Sequence, residues 1–315
     1  MRNETIATGA VARPRPAPLI REHIIPTRDS RPYIVVEGPD RNLWFCESGA
    51  SKIGCYDTRS GGFIEFSLPS PDSTPIGIAV GADGALWFTE KMSNRLGRLA
   101  RDGSIAEFAV TTPDAGPDGI ALGPDGNIWF SATEIDRLGR ITPHGHITEF
   151  GQDITPGSRP LSIVVRDGAL WFSEAAGGRI GRMTLDGMVT EFPIPSHDSH
   201  PRAMALHPDG SIWFVEAGAN ALGRIDRHGM ITEFLVPTPN ASPRGVAIGA
   251  DGDLWFTENA ANKIGRMAPD GTMVGEYDIP VAASGPRCIV PISDGRLFFT
   301  QFDAGLIGEI IPHDG

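Results

Sequence analysis

The sequence predicts an all-β fold, a seven-bladed β-propeller of four-stranded antiparallel blades, and three observations carry that expectation. Tryptophan recurs at Trp44, Trp87, Trp129, Trp171, Trp213 and Trp255, steps of 43, 42, 42, 42 and 42 residues, and Phe298 holds the seventh slot. A fixed period of this size is the mark of a repeat architecture. Each copy holds four short β-patterned runs divided by turn signals, which is one propeller blade. Finally, the last copy lacks its fourth run, and a matching run stands near the N-terminus.

One copy, read from 243 to 280, shows the elements in order. Pro243–Ile248 is a short apolar run, and Ala250-Asp251-Gly252 is a turn. Asp253–Glu258 is rich in β-formers around Trp255, and Asn259–Lys263 turns again. Ile264–Met267 makes a third strand, Pro269-Asp270-Gly271 a third turn, and Thr272–Tyr277 a fourth strand. Asp-Gly between apolar runs is a strong hairpin signal, because tight turns of this kind need positive φ. Seven such units use about 290 residues, so the reading is one domain over 19–315 with no second one.

The closing element is Ile20–Thr27, whose pattern matches Ile231–Thr238, the fourth strand of the fifth copy. Set beside Leu306–Ile310, it completes the seventh blade and removes an open sheet edge. Residues 1–18, with Arg13-Pro14-Arg15-Pro16, lack the pattern and read as a disordered arm.

Composition excludes several classes. A formal net charge of −12 argues against a protein that tracks nucleic-acid phosphates. Apolar runs are only strand-length, so no membrane span is expected, and no signal-peptide core is seen, which points to the cytoplasm; for a closed ring the default is a monomer. Cys46, Cys55 and Cys288 have neither metal-ligand nor CxxC spacing and read as reduced.

Features that recur in nearly every copy belong to the architecture. The Trp-Phe pair should pack between sheets. The third-strand arginines (Arg98, Arg140, Arg182, Arg224, Arg266) and the fourth-strand glutamates (Glu65, Glu107, Glu149, Glu191, Glu233, Glu276) are expected to pair across adjacent strands. Function requires departures from the repeat. At the residue after the recurring Pro, expected at the channel mouth, the ring reads Tyr33, Ile76, Asp118, Leu161, Arg202, Arg244 and Arg287. Three consecutive arginines beside a tyrosine suit an anionic or carbonyl-rich ligand, since guanidinium offers a planar donor fork and keeps its charge. Alternatively, each arginine pairs with a neighbouring Glu and only tunes the surface. Strand two ends at Glu47, Glu90, Ala132, Glu174, Glu216, Glu258 and Gln301, at either this rim or the other.

The unit Ser242–Met267, Pro-x-Gly followed by Asp-Gly-x-Leu-Trp-Phe-Thr-Glu and Asn-x-Ile-Gly-Arg, together with Ile-Thr-Glu-Phe and Pro-Thr-Pro at 231–239, resembles the virginiamycin B lyase (streptogramin lyase) family over residues 20–310. The resemblance implies a carbon–oxygen lyase that linearises a cyclic depsipeptide of the streptogramin B type by elimination at its ester, helped by Mg2+. In such chemistry a metal polarises a carbonyl, which acidifies the neighbouring C–H, and a His base takes the proton.

Tyr33 matches a family tyrosine near the substrate, and Asp303 or Gln301 falls where a metal ligand is implied. The family's His is Arg244 here, and its Glu-Pro-His triplet is Gly285-Pro286-Arg287. Arginine is no general base near neutral pH. The remaining candidates for a base are His200, Tyr33 and Glu258, with Arg202, Arg244 and Arg287 as substrate-binding groups. Two other classes stay open: a non-catalytic propeller that binds an anionic small molecule or peptide, and a metal-dependent lactonase.

Overall fold

The computed structural model describes residues 16–312. Most of the arm expected at 1–18 therefore lies outside the described residues. Seven four-stranded antiparallel sheets follow one another around a ring. Blade 1 is formed by Pro32–Glu37, Leu43–Glu47, Lys52–Tyr56 and Phe63–Ser67, and blade 6 by Pro243–Ile248, Leu254–Glu258, Lys263–Met267 and Met273–Asp278. The one helical turn among the described residues, Thr133–Ile135, is 3-10 and sits in blade 3.

Blade 7 closes as the sequence predicts. Pro286–Pro291, Leu297–Gln301 and Leu306–Ile311 are completed by Leu19–Ile24, which runs antiparallel from the pair Leu19↔Ile311 to Ile24↔Leu306. Burial explains the repeat. Trp129, Trp213 and Trp255 are fully buried, and each packs into a cluster that includes the next blade, as Trp213 does with Val246, Leu254 and Phe256. The phenylalanine after each tryptophan leaves no room for a side chain on the facing third strand. A Cβ at Gly54, Gly97 or Gly139 would run into the ring of Phe45, Phe88 or Phe130. The Gly of the Ile-Gly-Arg step is thus required by packing.

The recurring arginines and glutamates are architectural, but they do not pair with each other as the sequence reading expected. In register, Glu149 faces Gly139, while Arg140 faces Thr148. Each fourth-strand glutamate instead reaches the loop leaving the preceding blade. Glu149 accepts from Thr112 N at 3.0 Å and Thr112 Oγ1 at 2.7 Å, and Glu65, Glu107, Glu191, Glu233 and Glu276 accept likewise from Thr27, Ser70, Thr155, Ser196 and Thr238. Glu22 of the closing strand accepts from Val281 N. The ring is therefore latched blade to blade by charge-assisted bonds, each contributing about 1.5–3 kcal/mol. Four of the five arginines, Arg98, Arg140, Arg224 and Arg266, lie over the tryptophans, as Arg140 does over Trp129 at 5.6 Å.

The three cysteines are free, and no helix of the described residues is long and apolar enough to cross a membrane.

Candidate functional site at the channel mouth

Every first strand enters through the same strained turn. The residues before the recurring prolines, Arg31, Thr74, Gly116, Arg159, His200, Ser242 and Gly285, all have φ between 47° and 64°. That left-handed entry sets where the following residues point. The second strand then fixes the neighbouring first strand from behind. Thr257 Oγ1 donates to the carbonyl of Arg287 at 2.8 Å, and Thr300 Oγ1 to that of Tyr33 at 2.7 Å. Gly245 sits so close to the Arg287 carbonyl that a Cβ there would collide with it.

The result is a central cavity of about 320 Å³, walled by Tyr33, Asp118, Leu161, Arg202, Arg244 and Arg287 among others. Six of the seven column residues read from the sequence converge there, while Ile76 is buried and outside the lining. Arg202, Arg244 and Arg287 are half-buried, and the Nε of each is buried without a hydrogen-bond partner. Among the described residues no carboxylate forms an ion pair with any of the three. Arg244 shows the cost: burial, then Arg202 and Arg287 beside it, push its pKa down to about 10.

The tyrosine joins this arc through an aromatic wall. The Arg287 guanidinium lies 3.6 Å from the Phe302 ring centre and 4.8 Å from that of Tyr33, and the two rings meet edge to face at 5.9 Å. Arg31 approaches the outer side of Phe302 at 5.8 Å. Phe302 was missed in reading the sequence. Its signal was available one residue beyond the strand-two glutamates, where the ring reads Ser48, Lys91, Thr133, Ala175, Ala217, Asn259 and Phe302.

The opposite side of the mouth uses that second column differently. Lys91 Nζ holds Asp118 at 2.8 Å and Glu134 at 3.6 Å, and Glu134 also pairs with Arg159 at 2.6 Å. Charge there is neutralised within the protein.

The strand-two glutamates lie at the same rim as the mouth, since Glu258 faces Pro243 and Glu47 faces Pro32. Their side chains, however, are fully buried and outside the cavity lining. Burial and then Glu276 raise Glu258 to a pKa of about 8, and its carboxyl stays inside the blade rather than in the cavity wall. His200 is exposed, and its Nδ1 lies 3.0 Å from the Ala175 carbonyl in the preceding blade. It does not line the cavity. Of the three candidate bases, only Tyr33 is in the site.

A hard cation such as Mg2+ takes several converging oxygen ligands. Gln301 is fully buried with both amide atoms unpartnered, and Asp303 is exposed beside Gly285. Among the described residues no group of three or more His, Cys, Asp or Glu side chains surrounds a common point. With three arginines facing the cavity, this donor set does not fit the metal.

Fold and site together define a seven-bladed propeller whose central channel mouth is cationic, with Tyr33 beside three arginines. The chain belongs to the virginiamycin B lyase family, whose model matches residues 4–233 and 111–315. A streptogramin B lyase structure superposes with a TM-score of 0.89 at 36% identity, covering 94% of this chain and 98% of that one. A catalytically inactive His-to-Ala variant of virginiamycin B lyase from Staphylococcus aureus, solved with quinupristin, gives 0.88 at 37% identity, over 93% and 99%. A putative gluconolactonase structure, at 20% identity and a TM-score of 0.54 over 75% of this chain and 87% of that one, shares the fold alone. No curated protein matches the chain.

Proposed function

We propose that this chain is a metal-independent binding propeller of the lyase family, taking a carboxylate-bearing, partly aromatic small molecule or peptide at the Tyr33, Arg202, Arg244 and Arg287 mouth, with Phe302 backing Tyr33 and Arg287 from outside the cavity lining. One observation carries the reading: three adjacent arginines, half-buried and without acidic partners, surround one cavity. Holding like charges together out of water is unfavourable unless a counter-charge arrives. A ligand carboxylate supplies it through charge-assisted bonds, while its apolar part meets the Tyr33 ring.

The relatives support a common ancestor site but not a common chemistry. A single His exchange leaves the Staphylococcus aureus lyase inactive, and this chain carries Arg244 and Arg287 at both positions where the resemblance expects His. The likeness over 94% of the chain and the retained Tyr33 favour a second reading, elimination of a streptogramin-type ester with the arginines stabilising the developing oxyanion.

Mass spectrometry of a streptogramin B incubated with the protein, first with Mg2+ and then with a chelator, separates the two. The binding reading predicts recovered, uncleaved antibiotic in both. A linear product of unchanged mass establishes elimination, and one heavier by a water moves the chain to hydrolysis.

A further inference from the structure

The repeat carries its own control for a second site, on the disc face away from the mouth. The first strands start at the mouth, so the turn that follows each, with its Asp and the Trp beyond it, lies at the other end. In blades 2, 3, 5 and 6 this Trp is covered by the third-strand arginine: Arg98 over Trp87, Arg140 over Trp129, Arg224 over Trp213 and Arg266 over Trp255, at 4.8–5.9 Å. The same guanidinium pairs with the turn aspartate, as Arg140 does with Asp125 at 3.6 Å and Arg224 with Asp209 at 3.2 Å. In blade 4 Arg166 covers Trp171 at 3.7 Å, and in blade 7 Arg296 covers Phe298 at 5.3 Å.

Blade 1 breaks the rule. Cys55 occupies the arginine position opposite Trp44. Among the described residues no arginine lies over the Trp44 ring, and none pairs with Asp40. Asp40 nonetheless keeps the geometry of its counterparts, accepting from Trp44 Nε1 at 3.1 Å and from Asn42 N at 3.1 Å. Trp44 is half-buried, while the other five tryptophans are 4% exposed or less. The neighbouring turn also stands back. A Cβ on Gly145 would strike Phe108, whereas one on Gly103 would clear Phe66 by 3.6 Å. A pocket of about 300 Å³ opens there, walled by Asp40, Trp44, Phe66, Leu86, Leu99 and Arg101.

We infer that this pocket is a binding site for a guanidinium group brought by a ligand, stacked on Trp44 and paired with Asp40. An indole face beside a carboxylate is the arrangement that attracts a planar cation, and the other blades show that cation in place, supplied by their own chain. Arg101, the one cation in the wall, makes neither the stack nor the ion pair, and it offers a counter-charge to a ligand that also carries a carboxylate. The site is independent of the mouth.

Indole-region NMR of 15N-labelled protein tests it, with methylguanidinium and free L-arginine as probes. The Trp44 Nε1–H signal is expected to shift saturably in about the millimolar range, with the other five indoles still. Cys55→Arg, which installs the residue the other blades use, should reduce the shift about tenfold or abolish it, and Asp40→Asn, which keeps the shape, should weaken it several-fold. No shift at Trp44 with either probe overturns the inference, as does an undiminished response in Cys55→Arg or, where that variant misfolds, in Asp40→Asn.

Discussion

The two sides of the channel mouth are built on one scaffold, with the same left-handed entry turn and the same proline, and each side has a threonine hydroxyl clamped on the next first strand's carbonyl, Thr89 on that of Asp118 and Thr257 on that of Arg287. On the side of blades 2 to 4, Asp118, Lys91, Glu134 and Arg159 neutralise one another in a chain. On the side of blades 5 to 7, Arg202, Arg244 and Arg287 face the cavity and, among the described residues, none of them is in an ion pair with a carboxylate. A ring repeated seven times does not need unbalanced charge in three neighbouring positions, because the other blades close without it. In the proposed reading, the difference marks the part of the mouth that answers to a ligand.

Removing the unpaired charge should have the largest effect. Arg244→Ala is expected to lower affinity for an aromatic carboxylate such as N-acetylphenylalanine by about tenfold to a hundredfold, the worth of a charge-assisted bond. The melting temperature should hold or rise, because the crowding that depresses the Arg244 pKa is relieved. Calorimetric titration with parallel thermal melts checks both. A lower melting temperature with unchanged affinity would make Arg244 a structural residue.

The same contrast extends to the glutamates under the rim. Glu47, Glu90, Glu174, Glu216 and Glu258 are fully buried, and burial first, then in most of them a fourth-strand glutamate, raises their pKa values to about 8, 7, 7, 9 and 8. Glu216 is highest because Ala221 stands opposite it, where Lys52, Lys263, Arg95 or Arg179 faces the others. Folded carboxyls thus hold protons that the unfolded chain releases near 4.5. Their contribution to stability is complete below that value and is lost as pH rises through 7 to 9. Glu216→Gln should therefore melt several degrees above the parent at pH 9 and close to it at pH 5. Equal melting at both values would mean that Glu216 is already ionised in the fold.

Breaking a latch should cost less than emptying the arginine arc and should leave the mouth intact. Glu149→Gln weakens two bonds to Thr112 and is expected to reduce stability by about 1–2 kcal/mol, read by denaturant titration. The smallest effect should come from the neutralised side. Asp118→Asn releases the Lys91 charge toward the cavity, so carboxylate binding is expected to tighten by about two- to fivefold at low salt and to converge with the parent at high salt. An unchanged affinity at low salt would show that the two sides are not electrostatically coupled.

Much of this was legible in the sequence. The tryptophan spacing and the missing fourth strand define the blades and the ring closure, since register within a hairpin follows from period and turn chemistry. The column of Tyr33, Arg202, Arg244 and Arg287 could be read as well, because the residue after each proline occupies one place in every blade. Contacts between blades were not legible. The bond from Glu149 to Thr112 joins residues 37 apart in sequence through side chains whose directions depend on how the sheets stack. Burial of Glu258 and Gln301, and the place of Phe302 against Tyr33, turn on the same stacking. The substitution Cys55 was visible in the sequence, but its consequence for Trp44 appears only once the other blades show what the arginine covers.

The most direct test of the metal-independent arginine mouth is a calorimetric titration of N-acetylphenylalanine into the protein, with chelator and with Mg2+, in parent and Arg287→Ala. The account predicts equal binding in chelator and Mg2+, weakening as salt rises and a loss of tenfold or more in the variant. Binding that requires Mg2+, or that ignores the arginine, would contradict it.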